Sequence, residues 1–154
     1  MQLRATTDYA IRAILYLAEE GRICSSREIA EAMKIPRDYF IRLTKEMRDA
    51  ELIKAHPGRY GGYSLAQRAS DITMFDIVSA MEETSKVSGT SGKGSPCVHG
   101  EEHHCPLHLS YKLIRDGLET ALSSITVEGI LSASDSLKEA CGLAGCENEE
   151  ESLA

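Results

Sequence analysis

Residues 25–48 read SSREIAEAMKIPRDYFIRLTKEMR, and the helix pattern in these residues indicates the fold class. Ser25 and Glu28 have the spacing of a capping box, so a short helix is expected to begin at Ser25. Residues 34–36 interrupt it. A second helix is expected to open at Pro36, because the missing N–H of a proline would have no partner in a first helical turn anyway. The stretch therefore predicts two short helices joined by a tight turn.

The second of these helices has an apolar face and basic faces. Phe40, Leu43 and Met47 recur at i, i+3 and i+7, which places them towards a core. A short helix pair with a basic second member is typical of a helix-turn-helix, whose second helix enters the major groove of DNA. The residues predicted to contact DNA from this helix are Arg37, Asp38, Tyr39, Arg42, Lys45 and Arg48.

A glycine-rich turn follows directly. Residues 51–56 (ELIKAH) and 63–66 (YSLA) flank the turn 57–62 (PGRYGG), which is typical of a β-hairpin. Basic side chains on one surface helix are equally well explained by solvation, but the adjoining hairpin favours a winged helix that binds DNA. Arg59 and Tyr60 at the hairpin tip are then expected to contact the DNA backbone or the minor groove.

Further helices are expected on both sides of this unit. The first runs from Thr7 to about Glu20, with an apolar stripe along one side. Thr6 or Thr7 is expected to cap it, and Asp8 lies in its first turn, where the helix dipole favours a carboxylate. A later helix is expected from Thr73.

A long helix is predicted from Pro106, followed by a short last helix from Thr126 to Ala133. The long helix has an apolar seam with spacings of four and three, which is typical of a coiled coil. Such a helix needs a partner, and the simplest is a second copy of the chain in a two-fold homodimer. The seam consists of Leu107, Tyr111, Ile114, Leu118, Ala121 and Ile125.

The predicted fold is mainly α with a small β-hairpin, and it divides into four segments. Residues 1–83 form a winged helix-turn-helix domain, and residues 84–105 form a metal-binding loop. Residues 106–134 form the dimerisation helices. Residues 135–154 form an acidic tail that we expect to be disordered.

The loop before the long helix concentrates potential metal ligands. Thiolates suit zinc or iron–sulfur clusters and imidazole suits zinc or iron, so the ligand types alone do not discriminate between these metals. Cys105 and His108 are three residues apart at a helix start, so both can face the same way. The alternative is a pair of inert thiols among solvated histidines. The candidate ligands within 97–108 are Cys97, His99, His103, His104, Cys105 and His108.

The other three cysteines have simpler interpretations. An odd number of cysteines argues against a disulfide framework. Cys24 follows Ile23 at a helix entry and is expected in the core. Cys141 and Cys146 lie in a glycine-containing tail, where we expect incidental thiols, with a redox disulfide or metal binding as the alternative.

The composition excludes several classes of function. The 154 residues are 42% hydrophobic but only 5% aromatic, which disfavours an aromatic platform for single-stranded nucleic acid. The net charge of −7 divides into +2 for residues 1–72 and −9 for residues 73–154, so the DNA-binding half is mildly basic. With no long apolar run we expect a soluble, cytoplasmic protein without membrane contact. No motif suggests an enzyme.

The order of these motifs resembles the IscR/NsrR-type (Rrf-two) family of winged-helix transcription regulators. The resemblance extends from Met1 to about Ser132. It rests on MQL and TDYAIR near the N-terminus, on IP and YF around the tight turn, on GGYSLA in the hairpin, and on DIV and ME in the next helix.

The resemblance implies a homodimeric regulator, usually a repressor, that binds a palindromic double-stranded DNA operator. Many members hold an iron–sulfur cluster between the cysteine loop of one subunit and helix one of the other. In the nitric-oxide-sensing type, an aspartate at the position of Asp8 completes the cluster. In the IscR type, a histidine matched by His108 does so. Because helix one packs on the recognition helix, the resemblance implies that the cluster state changes the spacing of the two recognition helices in the dimer.

The chain departs from this family pattern at two places. Sensing members usually carry three loop cysteines, whereas this loop has two. The preferred hypothesis is a [2Fe–2S] cluster held by Cys97, Cys105, His108 and Asp8 of the partner subunit, which would sense redox, nitric oxide or iron–sulfur status. The alternatives are zinc or thiol sensing, or a cluster-free regulator of sulfur metabolism controlled by a partner protein. In the wing, Pro57 replaces the usual arginine, and Arg59 takes its place.

Overall fold

The computed structural model describes residues 3–82 and 106–140. Its elements confirm the expected fold, which is mainly helical with one two-stranded antiparallel hairpin. None of the helices in these two ranges is long and apolar enough to cross a membrane. The elements in chain order are α1 (Ala5–Glu20), α2 (Ser26–Ala32), α3 (Arg37–Asp49), β1 (Ile53–His56), β2 (Gly62–Leu65), α4 (Met74–Met81), α5 (Pro106–Ser123) and α6 (Val127–Ala140).

The helix pair α2–α3 begins and turns as predicted. Ser25 Oγ accepts a hydrogen bond from the Glu28 backbone N–H at 3.2 Å, and the Glu28 carboxylate accepts one from the Ser25 N–H at 3.3 Å. This capping box fixes the start of α2. Lys34 then adopts a left-handed φ of 52°, which reverses the chain sharply before Pro36. The inward side chains of α3 are buried, and they are Phe40, Leu43, Thr44 and Met47.

The hairpin is joined to the helices through backbone hydrogen bonds. Strands β1 and β2 pair in register from Ile53 opposite Leu65 to His56 opposite Gly62. Cys24, between α1 and α2, exchanges two backbone hydrogen bonds with Tyr63 of β2, at 2.9 and 2.8 Å. A Cβ on Gly62 would lie 2.1 Å from the Cys24 carbonyl oxygen, so glycine is required there. The orientation of the wing relative to the helices is therefore fixed by close backbone contact.

Helix α1 lies at the centre of the molecule. It contacts α2, α3, α4, α6 and β2. Of the apolar stripe predicted at Ile11, Ile14, Leu15 and Ala18, Ile14 is fully buried and the other three are half-buried. Ala10, Ala13 and Leu17 are buried as well. The buried face is wide because several elements surround the helix. Any change in the position of α1 therefore affects the whole winged helix.

The predicted threonine cap of α1 is wrong. The helix begins at Ala5, and the residue before it, Arg4, makes no side-chain cap. Thr7 is fully buried, and its Oγ1 donates to the Glu82 carboxylate, 2.6 Å away, at the end of α4. The Thr7 hydroxyl, one of the two that the sequence predicted as a helix cap, therefore makes a tertiary contact instead.

Helices α4 to α6 complete the chain. Thr73 and Asp76 form a capping box that fixes the start of α4. The junction between α5 and α6 pairs with the segment before α4, since the Val127 N–H donates to the Ile72 carbonyl at 3.0 Å. Helix α6 continues to Ala140, beyond the predicted end at Ala133, because no glycine or proline interrupts residues 130–140.

Candidate nucleic-acid interface and sensing site

The six residues predicted to contact DNA from the recognition helix all lie on α3 and are exposed. Because the four buried side chains of α3 face the core, the basic ones project away from it. Within the described residues, none of the basic side chains of α3 forms an ion pair with an acidic residue, so their charge is available to phosphates. The exposed set is Arg37, Asp38, Tyr39, Arg42, Lys45 and Arg48.

The wing tip brings the other two predicted DNA contacts together. Arg59 and Tyr60 lie in the turn between β1 and β2, and both are exposed. The guanidinium carbon of Arg59 lies 5.9 Å from the centroid of the Tyr60 ring. This cation–π contact orders two long side chains at the tip of the wing.

The packing of α1 on α3 was expected, but the residues that make the contact were not predicted. The Tyr9 and Tyr39 rings meet edge to face, with centroids 5.5 Å apart. Thr6 Oγ1 and the Tyr39 hydroxyl lie 3.0 Å apart, within hydrogen-bonding distance. Tyr39 is in the first turn of α3, so the start of the recognition helix is attached to the first turns of α1.

Asp8 lies between Thr6 and Tyr9 in the sequence, but its side chain contacts Arg12 rather than α3. Its Oδ2 is 2.8 Å from Arg12 Nη2, and both side chains are about half exposed. Asp8 is therefore accessible to a second subunit, although a metal would compete with Arg12 for the carboxylate. An exposed pair of this kind contributes about 0–1 kcal/mol, so the competition is weak.

Glu82 anchors the N-terminal end of α1. Its carboxylate accepts hydrogen bonds from Thr7 Oγ1, from the Arg4 backbone N–H at 2.9 Å and from Arg4 Nε at 2.7 Å. Arg4 also donates to the Met81 carbonyl at 3.0 Å. The hydrogen bonds that the carboxylate accepts, with that from the Thr7 hydroxyl the largest cause, lower the pKa of Glu82 to about 2. The sequence offered only the dipeptide Met81-Glu82, with no signal for its partners.

The other predicted ligand side chains lie outside the described residues. Cys97 and Cys105 lie outside them, as do His99, His103 and His104. His108 falls in the first turn of α5, but its side chain is outside the description. Cys141 and Cys146 also lie outside it. The ligand set thus stays a prediction, with Asp8 the one member whose surroundings are known.

A different group of potential ligands occurs beside α2. The ligand atoms of Glu20, Cys24 and Glu28 lie within 4.8 Å of one another. Arg22 contacts both carboxylates, at 2.5 Å for Glu20, and offsets part of their negative charge. Burial raises the pKa of the Cys24 thiol, which disfavours the thiolate that a metal needs. The thiol is buried in the core as expected, and the group is a structural ion-pair network.

Helix α5 exposes large apolar side chains to solvent. Tyr111 of the predicted seam is half-buried, and Ile114 (54%), Leu118, Ala121 and Ile125 are exposed. The side chain of Leu107 lies outside the described residues. The exposed large apolar residues on α5 and at its end are Leu109, Leu113, Ile114, Leu118 and Ile125. Several exposed large apolar side chains along one helix are typical of a protein–protein interface.

The fold and the exposed basic helix define a winged-helix regulator that binds DNA. The sequence profile of the Rrf2 family, described as an iron-dependent transcriptional regulator, matches residues 3–133. The chain therefore belongs to the Rrf2 family of transcription regulators.

Solved structures with the same fold include regulators from several bacteria. T. potens IscR is 24% identical over 87% of this chain and 88% of that chain, with a TM-score of 0.67. CymR, the global cysteine regulator of B. subtilis, is 25% identical over 86% of this chain and 98% of that chain, with a TM-score of 0.66. The oxidized form of Staphylococcus aureus CymR is 24% identical over 84% and 95% of the two chains, with a TM-score of 0.61.

Proposed function

We propose that the protein is a homodimeric repressor that binds a palindromic operator and senses redox, nitric oxide or iron–sulfur status through a [2Fe–2S] cluster. The observation that carries this proposal is the position of Asp8 between Thr6 and Tyr9, the two residues of α1 that contact Tyr39. A candidate cluster ligand and the recognition helix are thereby joined through less than two turns of one helix. Since the repressor acts on DNA, we expect it in the cytoplasm.

The DNA is bound by α3 in the major groove and by the wing beside it. Arg37, Arg42, Lys45 and Arg48 contact phosphates or guanine edges, and Arg59 with Tyr60 contacts the backbone or the minor groove. Two such units related by a two-fold axis match the two half-sites of a palindrome. Support comes from the exposure of all these residues and from the paired wing tip.

The dimer forms through the exposed seam of α5. A half-exposed apolar row is costly in water, and a second copy of α5 covers it by self-complementary packing. The pairing also brings α1 of one subunit within reach of the loop that precedes α5 of the other. Asp8 is exposed for such a contact.

The proposed donor set is compatible with an iron–sulfur cluster. Cys97 and Cys105 supply thiolates, His108 supplies an imidazole, and Asp8 of the partner subunit supplies a carboxylate. When bound, such a cluster supplies reversible one-electron redox chemistry, and its non-cysteine ligands raise the reduction potential. Support for Asp8 comes from its accessible carboxylate, whose partner among the described residues is Arg12 in an exposed ion pair.

The residues of α1 carry the signal to DNA. A ligand that engages Asp8 fixes α1, and Thr6 and Tyr9 then fix Tyr39 at the start of α3. Release of Asp8 frees the α1–α3 unit to move, which changes the spacing of the two recognition helices. A difference of a few kcal/mol in DNA affinity between the two arrangements is enough for a switch.

A second candidate is a cluster-free regulator of sulfur metabolism controlled by a partner protein. It is favoured by the two-cysteine loop and by the similarity to the cysteine regulator of B. subtilis. Zinc or thiol sensing by the same loop is the remaining alternative. All of these keep the DNA-binding half unchanged.

Anaerobic purification with a visible spectrum and iron, sulfide and zinc assays tests the proposal. We expect a coloured protein with about two irons and two sulfides per monomer. Cys97→Ala and Cys105→Ala should lose the colour, while Cys141→Ala, a matched change outside the loop, should keep it. A protein that stays colourless after cluster reconstitution contradicts the cluster, and zinc in that sample favours the zinc alternative. No metal at all favours the cluster-free regulator.

A further inference from the structure

We propose that Ile41 contacts the C5 methyl group of a thymine in the major groove and thereby sets the base preference at one position of each half-site. This inference rests on the proposed binding of DNA through α3. It assigns a specificity role to a residue that the charge pattern of the helix does not single out.

Ile41 is an apolar side chain on the solvent side of the recognition helix. It is 47% exposed, while Phe40 before it and Leu43 two residues after it are buried. The other exposed large apolar residue of α3 is Tyr39, whose ring and hydroxyl contact α1. Within the described residues, Ile41 belongs neither to the core cluster nor to the side chains packed against it. Its exposed area is thus available to a partner.

The neighbours of Ile41 along the helix surface are cations. Arg37 and Lys45 lie at i−4 and i+4, directly before and after it on the same face, and Arg48 at i+7 extends the row. Contacts from such cations to phosphates hold the helix in the groove but do not read sequence. A partner for Ile41 must therefore be found among the bases between the phosphates.

The chemistry of the major groove identifies that partner. Base edges there present hydrogen-bond donors and acceptors, and the thymine methyl is the apolar group among them. Isoleucine has no polar atom in its side chain, so burying it against a donor or acceptor leaves that group without a partner. Contact with a thymine methyl removes apolar surface on both sides from water, with an expected contribution of about fourfold in affinity per methyl group.

A selection experiment with random duplex DNA tests the inference on the full-length protein. Wild type, Ile41→Ala and Ile23→Ala are each used to enrich bound sequences. Ile23 is a matched control, because it is also isoleucine and 44% exposed but lies between α1 and α2. We expect wild type and Ile23→Ala to enrich thymine at one symmetry-related pair of positions, and Ile41→Ala to lose that preference alone.

Deoxyuridine then tests the methyl group itself without changing the protein. Replacing both thymines by deoxyuridine should weaken wild-type binding by about 15-fold, fourfold for each half-site, and should leave Ile41→Ala unaffected. The salt dependence of binding should be equal for wild type and Ile41→Ala, because no phosphate contact is lost. Unchanged preferences in Ile41→Ala, or a deoxyuridine effect that persists in it, would overturn the inference while leaving DNA binding intact. If wild type enriches no sequence, the proposed function itself fails.

Discussion

The Tyr9 ring on α1 meets the Tyr39 ring on α3 edge to face, with centroids 5.5 Å apart and planes inclined by 76°. The Thr6 hydroxyl, 3.0 Å from the Tyr39 hydroxyl, adds a polar contact at the same point. Tyr39 belongs to the first turn of the recognition helix, and Tyr9 directly follows the candidate cluster ligand Asp8. The two rings therefore connect the helix that carries Asp8 directly with the first turn of the recognition helix.

Tyr9→Leu should weaken the coupling between cluster and DNA affinity. The substitution removes an aromatic pair with an expected contribution of about 0.5–1.5 kcal/mol. Operator affinity is measured for the cluster-loaded and cluster-free forms, and the ratio of the two should fall towards one. Tyr16→Leu is the control, since Tyr16 also lies on α1 but its hydroxyl donates to Glu28 of α2 at 3.3 Å rather than contacting α3. An unchanged ratio in Tyr9→Leu would mean that the signal takes another route.

Glu82→Gln should lower stability at neutral pH and remove part of the acid sensitivity of the fold. The folded-state pKa of Glu82 is about 2, below its ordinary value of 4.5. A depressed pKa stabilises the fold at pH values above 4.5, and this contribution is lost as the pH falls from 4.5 towards 2. The hydrogen bonds that cause the shift come from Thr7 and Arg4.

The free energy of unfolding, measured by denaturant titration at neutral and acid pH, tests this prediction. The difference between wild type and Glu82→Gln should be about 1–3 kcal/mol at pH 7 and should shrink as the pH falls below 4.5. Glu31→Gln is a matched control, because Glu31 forms an exposed i,i+4 pair with Arg27. A pH-independent difference for Glu82→Gln would assign its role to packing rather than to charge.

Glycine-to-alanine changes at two positions should have opposite effects. In Gly62→Ala the new methyl group meets the Cys24 carbonyl oxygen at 2.1 Å, so the wing must move away from the helices at a cost of about 1–3 kcal/mol. Gly117 lies inside α5 with no described atom within 4 Å of an added Cβ, so Gly117→Ala should stabilise the helix by about 1 kcal/mol. Thermal unfolding of both variants checks the two signs. Equal or greater stability of Gly62→Ala would refute the close contact between β2 and Cys24.

Local sequence predicted the elements that depend on local chemistry. The capping box at Ser25, the start of a helix at Thr73, the buried row of α3 and the glycine-rich hairpin all follow from residues a few positions apart. Tertiary partners had no comparable signal. Threonine is a residue type that commonly caps helices, yet Thr7 is buried against Glu82, which lies 75 residues further along the chain.

The candidate site was predictable to the same extent. The charges of α3 and the wing indicated exposed residues that are candidates for DNA contact, because basic residues on one helix are visible in the sequence. The Tyr9–Tyr39 contact was not, since it depends on how α1 crosses α3. Ile41 was not singled out for another reason: the charge pattern of α3 draws attention to its basic side chains, and the 47% exposure of an isoleucine among them is given by the structure.

Ile114→Lys should convert the dimer into a monomer without unfolding the subunit. Ile114 is 54% exposed in the single chain, so a lysine there is solvated and costs little within one subunit. In a two-fold pairing of α5 helices the same change buries two unpaired charges against each other, which is strongly unfavourable. Lys112→Glu, an exposed charge change on the same helix, should leave the dimer intact.

Sedimentation equilibrium and operator binding measure the two consequences. Ile114→Lys should sediment as a monomer with the helical circular dichroism of wild type. Its affinity for a palindrome should fall towards that for a single half-site, because the second half-site no longer gains from an effective local concentration. A variant that remains dimeric would place the subunit interface elsewhere. A monomer that keeps full operator affinity would show that pairing of the two recognition helices contributes nothing to binding.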